Sequence, residues 1–130
     1  MDTKYKILIV DDDAFLLSMY EAKFKKNNFD VVTSSGGNDA LKKLREGLAP
    51  DVITLDMVMP EMDGVEFLAQ MRKENLAKGS VLVVLSNQSQ TADIEKATQY
   101  GIDGYIVKAT TIPSEVVNEV EKIIKEKFKK

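Results

Sequence analysis

Short apolar runs alternate along this chain with longer segments in which apolar residues recur at three- and four-residue spacing. Runs of the first kind predict β-strands, and the longer periodicity predicts amphipathic helices. The predicted strands cover residues 5–10, 30–33, 52–55, 81–85 and 105–107. A helical pattern follows each of them. This alternation is typical of an open parallel sheet with helices packed on both faces.

The strand composition also predicts how the sheet is buried. Residues 81–85 read Val-Leu-Val-Val-Leu, with no polar position. Strands that are apolar throughout are typical of parallel sheets covered on both faces. For residues 1–130 we therefore predict one domain with a flavodoxin-like sheet in the strand order 2-1-3-4-5. In that order, ligands bind at the carboxyl ends of the strands, where strands 1 and 3 lie side by side.

Three acidic residues are predicted to meet at that edge. Asp11 and Asp12 follow the first strand, and Asp56 ends the third. A carboxylate at the end of a buried strand is costly unless something there uses it. We therefore interpret Asp56 as a phosphate acceptor, although it could instead merely cap the following loop. Asp13 is interpreted as the N-cap of the first helix.

The same acidic cluster predicts a metal ion. Carboxylates in one crevice repel one another and raise each other's pKa, and a divalent cation relieves this. The sequence contains no Cys and no His, so oxygen atoms are the available ligands. Such a set favours Mg²⁺, or Mn²⁺, over zinc.

Two further polar residues follow strands that end at this edge, Ser86 after the fourth strand and Lys108 after the fifth. Phosphoryl transfer requires a nucleophile, a metal ion and positive charge near the equatorial oxygens. Asp56, a magnesium ion, Lys108 and the Ser86 hydroxyl could fill these roles. Taken singly, Lys108 could be a surface lysine, Ser86 the start of a turn and Tyr105 an ordinary strand aromatic.

Composition excludes several other functions. Without Cys or His, disulfides, thiolate chemistry and histidine-based catalysis are excluded. The formal net charge of −3 argues against direct nucleic-acid binding by this domain. No apolar run approaches the roughly 18 residues of a membrane span, and no signal-peptide pattern opens the chain. We therefore expect a cytoplasmic protein.

Taken together, these motifs resemble the receiver domain of two-component response regulators. The matching segments are residues 7–13 (Ile-Leu-Ile-Val-Asp-Asp-Asp), 55–64 (Leu-Asp-Met-Val-Met-Pro-Glu-Met-Asp-Gly), 84–86 (Val-Leu-Ser) and 101–108 (Gly-Ile-Asp-Gly-Tyr-Ile-Val-Lys). The resemblance covers essentially the whole chain. It implies five βα units, phosphorylation of Asp56 by a partner histidine kinase, and a requirement for magnesium.

The resemblance also implies a ligand set for the metal. Asp12, Asp56 and the backbone carbonyl oxygen of Val58 would contact the ion, and Asp11 would do so directly or through a water molecule.

The resemblance implies a switch as well. Ser86 and Lys108 would contact the phosphoryl oxygens, and Tyr105 would move from an outward to an inward rotamer when Ser86 shifts. The switched surface would comprise the fourth helix, the fifth strand and the fifth helix. The implied partners are a sensor histidine kinase or phosphotransfer protein and a downstream effector or missing output domain. A phosphorylation-dependent dimer is a further possibility.

Two positions depart from the family pattern. Ala109 stands where the family usually has Pro, and Asn87 stands where a small residue is usual. In relatives the Lys-Pro peptide is typically cis. A cis peptide costs about 0.5–1 kcal/mol before Pro but roughly 2.5–4 kcal/mol before other residues. We therefore predict a trans Lys108–Ala109 peptide, with Lys108 still directed at Asp56.

Two other classes of protein remain as alternatives. An aspartate-nucleophile phosphatase typically carries a second acid two residues after its nucleophile, but Val58 stands there. A degenerate receiver would serve only for docking, although the acid pair, Asp56, Ser86 and Lys108 are all present. We expect the chain to catalyse only its own phosphorylation and slow dephosphorylation, and not to be an enzyme. Whether it is a stand-alone regulator or part of a longer chain stays open.

Overall fold

Five strands and five helices alternate along the part of the chain that the computed structural model describes, which is residues 4–86, 91–108 and 111–128. The strands are β1 (Lys6–Val10), β2 (Asp30–Ser34), β3 (Val52–Asp56), β4 (Val81–Ser86) and β5 (Gly104–Val107). The helices are α1 (Ala14–Lys26), α2 (Gly37–Arg45), α3 (Gly64–Lys73), α4 (Thr91–Thr98) and α5 (Pro113–Lys127). In these ranges, no helix has the length and apolar character needed to cross a membrane.

The strands form one parallel sheet in the order β2-β1-β3-β4-β5. The predicted fold class and strand order are therefore confirmed. β3 extends one residue beyond its predicted end and includes Asp56, and β4 likewise includes Ser86. Both predicted site residues are thus the last residues of their strands, where the ladder holds their backbones in place.

Alternate strand residues enter two separate cores, one on each face of the sheet. Leu8, Ile53 and Leu82 pack toward the α2–α3 face with Leu41, Phe67 and Met71. Ile7, Val52 and Val81 pack toward the α1–α5 face with Phe24, Val120 and Ile124. Because both faces are covered, both sets of alternating positions must be apolar.

Local capping interactions start the helices beside the carboxyl edge of the sheet. Asp13 is the N-cap of α1, as predicted, and its Oδ1 accepts hydrogen bonds from the backbone N–H groups of Phe15 and Leu16 at 3.0 and 3.1 Å. At α3, the Asp63 side chain accepts from the Glu66 N–H at 2.8 Å, and Glu66 accepts from the Asp63 N–H at 3.0 Å. This reciprocal capping box fixes where the β3–α3 loop ends.

Gly64 allows that loop to close tightly against the end of β3. A Cβ at this position would lie 2.7 Å from Met57 Sδ and 2.9 Å from Met57 Cα. The Gly64 N–H also donates to the Met57 carbonyl oxygen at 2.9 Å. Since a side chain would collide with backbone, glycine is required for the loop to stay in this position next to Asp56.

Candidate functional site

The structure brings the three predicted acidic residues together at the carboxyl edge of the sheet. One carboxylate oxygen from each of Asp11, Asp12 and Asp56 lies within 4.8 Å of the others. Asp11 and Asp56 are buried, and Asp12 is exposed. The cluster therefore has a buried floor and one carboxylate facing solvent.

Lys108 directly follows the carboxyl end of β5, and its side chain extends to this cluster. Its Nζ lies 3.1 Å from Asp11 Oδ2 and 3.5 Å from Asp56 Oδ2, and its side chain is only 15% exposed. To do this the side chain spans the end of β4, which lies between β5 and β3 in the sheet. The interpretation of Lys108 as an ordinary surface lysine is therefore excluded by its position.

Ser86 is fully buried at the end of β4, next to β3. Within the ranges that the structure describes, its hydroxyl has no hydrogen-bond partner. Buried polar side chains nearly always have one, and leaving a group without a partner costs about 1–3 kcal/mol. An unpaired hydroxyl here is a local cost that a bound oxygen atom would remove.

Val58 and Tyr105 are the other predicted site residues at the carboxyl edge of the sheet. The Val58 N–H donates to Asp56 Oδ1 at 3.4 Å, while the part of the Val58 carbonyl oxygen in metal binding stays a prediction. Tyr105 on β5 is 55% exposed, and its change of rotamer stays a prediction. Asn87 and the Lys108–Ala109 peptide lie outside the described residues.

The electrostatics of the cluster change the ionisation of Asp56. Burial raises the pKa of the Asp56 carboxyl to about 7; the Lys108 ammonium opposes this shift and the Asp11 carboxylate adds to it. Burial lowers the pKa of Lys108, but the Asp56 and Asp11 carboxylates outweigh it and the net pKa is raised. Lys108 is therefore a permanent cation, whereas Asp56 titrates near neutral pH.

One residue close to this cluster received no site role from the sequence. Tyr20 is one of the apolar and aromatic residues at helical spacing after the acid pair, and it is buried on α1. Burial raises the pKa of the Tyr20 phenol, and Lys108, Asp11 and Asp56 all act on it electrostatically. The sequence feature that could have pointed to Tyr20 as a neighbour of the site is its place on the helix that directly follows Asp11 and Asp12.

The raised pKa of Asp56 predicts a pH-dependent stability difference in metal-free buffer. The pKa of the Asp56 carboxyl is 3.8 in the unfolded chain and about 7 in the folded protein. Between these values the folded state holds a proton that the unfolded state has lost, so the wild type loses stability as pH rises. An Asn at position 56 does not titrate. Asp56→Asn should therefore be more stable than the wild type above neutral pH, by about 1–3 kcal/mol.

Urea denaturation of both proteins across this range would measure the effect. The difference should grow between about pH 4 and about pH 7 and be constant above. Asp13→Asn removes an exposed carboxylate but keeps a good N-cap, and serves as the matched control. A stability difference for Asp56→Asn that does not vary with pH would contradict the ionisation assigned here.

Comparison with known proteins identifies the class of protein that this fold and site define. The family model of the response regulator receiver domain matches residues 7–121. The chain therefore belongs to the receiver domains of two-component response regulators. Receiver domains generally bind Mg²⁺ at a cluster of acidic residues, and Asp11, Asp12 and Asp56 form such a cluster here.

Individual relatives fall into two size groups. The chain is 41% identical over 105 residues to the chemotaxis protein CheY of Listeria monocytogenes, a match that covers 79% of this chain and 85% of CheY. It is 32% identical over 120 residues to the alkaline phosphatase synthesis transcriptional regulatory protein PhoP of Bacillus subtilis, covering 92% of this chain but 48% of PhoP. The chain thus spans about half the length of the latter.

Solved structures agree with the observed fold. The chemotaxis response regulator CheY4 of Vibrio cholerae superposes with a TM-score of 0.83 at 26% identity, covering 93% of this chain and 99% of that one. A CheY-like receiver domain from Methanospirillum hungatei reaches a TM-score of 0.85 at 22% identity, covering 96% and 97%, and supports the fold alone.

Proposed function

We propose that this domain is a phosphorylation-controlled switch whose acceptor is Asp56. A partner sensor histidine kinase or phosphotransfer protein supplies the phosphoryl group, and a downstream effector or output domain responds. The observation that carries the proposal is the position of Asp56, a buried carboxylate 3.5 Å from the Lys108 ammonium and within the acidic cluster. We propose no turnover of other substrates, because Val58 offers no acid for that chemistry.

In the transfer step, an Asp56 oxygen forms a bond to phosphorus while the P–N bond to the donor's imidazole breaks. The bonding pair stays on the imidazole nitrogen. Lys108 pairs with Asp56 and Asp11 before transfer, so its charge is already in place for the oxygens that arrive. A preorganised cation of this kind stabilises the transition state without reorganisation during the reaction.

The donor set fits a magnesium ion. Asp11, Asp12 and Asp56 offer oxygen atoms only, and exposed Asp12 leaves the cluster open to water molecules and phosphate oxygens. A bound Mg²⁺, or Mn²⁺, would supply neutralisation of the phosphoryl charge. By holding a cation next to Asp56, Asp11 and Asp12 would favour the ionised form of its carboxyl and keep it nucleophilic at neutral pH.

Ser86 supplies the link from the site to the surface. Its buried hydroxyl lacks a partner within the described parts of the chain and would gain one by donating to a phosphoryl oxygen. Tyr105 lies on β5, which pairs with β4 next to Ser86. A shift of Ser86 toward the phosphoryl group would leave space that the exposed Tyr105 ring can enter. The free energy of the new hydrogen bond would then favour the inward rotamer.

The direct test is phosphorylation itself. Protein incubated with magnesium and a small acyl phosphate should gain one phosphoryl group, detected by intact-mass measurement and located by peptide mapping to Asp56. A protein that gains none from either a small donor or a cognate kinase would be a docking module instead.

The switch is tested by a structure with magnesium and a phosphate mimic bound. We expect Ser86 to move toward the mimic and Tyr105 to turn inward. In Ser86→Ala, which lacks the hydroxyl, Tyr105 should stay outward in most molecules even with the mimic bound. A wild-type complex with Ser86 displaced and Tyr105 still outward would contradict the coupling.

A further inference from the structure

Tyr20 is a buried tyrosine on the same face of the sheet as the charged cluster. Only 3% of its surface is exposed, and it packs in the core between the sheet and the α1–α5 layer. Val52 of β3 belongs to this core, and strand alternation puts Asp56, four residues later, on the same face. Lys108 follows Ile106, another member of this core, by two residues and pairs with Asp56. Tyr20 therefore adjoins the charged groups from the helix side.

The charges of the cluster act on the Tyr20 hydroxyl. Burial raises the pKa of the Tyr20 phenol, and among the charged groups the Lys108 ammonium has the largest effect, which lowers this pKa. The Asp11 and Asp56 carboxylates raise it by smaller amounts. Because the resulting pKa lies above the ordinary value of 10.0, the phenol is uncharged at neutral pH. An uncharged phenol can donate one hydrogen bond and also accept one.

The Lys108 ammonium has more donors than its two carboxylate neighbours take up. An ammonium group carries three N–H donors. Asp11 Oδ2 accepts one of them at 3.1 Å, and Asp56 Oδ2 lies 3.5 Å from Nζ. With its side chain only 15% exposed, Lys108 has little access to water for the third. A buried tyrosine hydroxyl usually has a hydrogen-bond partner as well, so the two groups have complementary requirements.

We propose that Tyr20 is a positioning residue for phosphoryl transfer, and that its phenol oxygen accepts the third Lys108 N–H. Held at this point, the ammonium stays directed at Asp56 when its bond to Asp11 is exchanged for one to a phosphoryl oxygen. A phenol suits this role better than a further carboxylate, because it adds no negative charge that would compete with the phosphoryl group for Lys108. The inference rests on the proposed function, since it concerns how Lys108 assists transfer to Asp56.

The sequence gives a reason why Lys108 needs side-chain support in this chain. Ala109 follows it, where the family usually has Pro. Proline fixes its own φ and restricts the residue before it, so its ring limits the directions that a preceding lysine can take. Alanine imposes no such restriction, and the flexible four-carbon stem of a lysine does not hold one direction by itself. A hydrogen bond to Tyr20 would replace part of the missing constraint.

Phosphorylation kinetics test the role in transfer. With magnesium and a small acyl phosphate, Tyr20→Phe should be phosphorylated about three- to tenfold more slowly than the wild type, because Phe keeps the ring but lacks the hydroxyl. Lys108→Met removes the ammonium and keeps a long unbranched side chain. Adding Tyr20→Phe to Lys108→Met should change the rate no further, since the two residues act together. Tyr5→Phe, which removes a hydroxyl next to the start of β1 at the opposite edge of the sheet, should keep the wild-type rate.

The contact itself can be tested without phosphorylation. Protein labelled with ¹³C at the ζ carbon of tyrosine should give four NMR signals, because the chain has four tyrosines. The Tyr20 signal is the one that Tyr20→Phe lacks. In metal-free buffer, Lys108→Met should shift this signal, since the phenol oxygen loses its donor, and leave the Tyr5 signal in place. Asp12→Asn also changes the charge of the cluster by one unit but leaves Lys108 intact, and should shift the Tyr20 signal far less.

Three results would overturn the inference. One is a wild-type rate of phosphorylation in Tyr20→Phe. The second is an equal loss of rate when Tyr20→Phe is added to the wild type and to Lys108→Met, which would show that Tyr20 acts through packing alone. The third is a Tyr20 signal that does not respond to Lys108→Met. If the wild type gains no phosphoryl group at all, the proposed function fails, while the NMR comparison still decides whether Tyr20 binds Lys108.

Discussion

Asp56→Asn should abolish phosphorylation of this domain by both small acyl phosphates and a kinase. An amide has nearly the shape of the carboxylate, but it offers no anionic oxygen to attack phosphorus. Asp11 is the competing acceptor, since it lies 3.1 Å from Lys108. Its oxygens are more firmly engaged, however, because Oδ1 accepts from the Asp13 N–H at 2.9 Å and Oδ2 from Lys108. The contacts of Asp56 are longer, at 3.4 and 3.5 Å.

The measurement is incorporation of one phosphoryl group, followed by intact mass under identical conditions for each protein. Asp13→Asn is the control, because it changes an acid two residues from Asp11 while keeping the N-cap of α1. We expect wild-type labelling in this control and none in Asp56→Asn. Label remaining on Asp56→Asn would assign the acceptor elsewhere, with Asp11 the first residue to examine.

The general position of the site could be predicted because topology decides it. Parallel strands end at one edge of a sheet, so polar residues that follow β1, β3, β4 and β5 must come together there. Continuous apolar runs predicted a sheet buried on both faces, and the flavodoxin-like strand order expected for five βα units is the order that the structure shows. The sequence was less informative about α4. The spacing of Ile94, Ala97 and Tyr100 predicts a helix closed by Gly101. In the structure α4 ends at Thr98, and Tyr100 lies in the turn before Gly101, whose φ is +83°.

Properties that depend on depth and on long-range contacts could not be predicted. The pKa of Asp56 follows from how deeply the carboxylate is buried beside Lys108, and sequence spacing carries no such information. The bidentate pair between Arg45 and Glu74, which joins α2 to α3, involves residues far apart in the chain. The same holds for Arg72, which donates to the carbonyl oxygen of Tyr100 at 2.8 Å and holds the end of the α4 segment against α3.

The unpaired Ser86 hydroxyl is another property that the sequence could not supply. A serine at the end of a strand commonly bonds to a nearby backbone group. Whether it does so here depends on the surrounding packing, in which Ser86 is fully buried.

Asp12→Asn should lower the affinity for magnesium by at least about tenfold, which corresponds to 1.4 kcal/mol. Asp11 is buried and already paired with Lys108, and Asp56 is partly protonated at neutral pH. Exposed Asp12 is therefore the carboxylate most available to an incoming cation. Removing it leaves two engaged acids and a positive charge nearby, which opposes cation binding.

Calorimetric titration with Mg²⁺ in the absence of phosphate would measure this loss. Asp13→Asn removes the same charge from the adjacent position and should keep nearly the wild-type affinity, apart from a small long-range effect screened by salt. Because the Asp12 carboxylate is exposed, its replacement should leave the free energy of unfolding nearly unchanged, so a folding defect would not account for weaker binding. Equal magnesium affinities for the wild type and Asp12→Asn would place the ion outside the Asp11, Asp12 and Asp56 cluster.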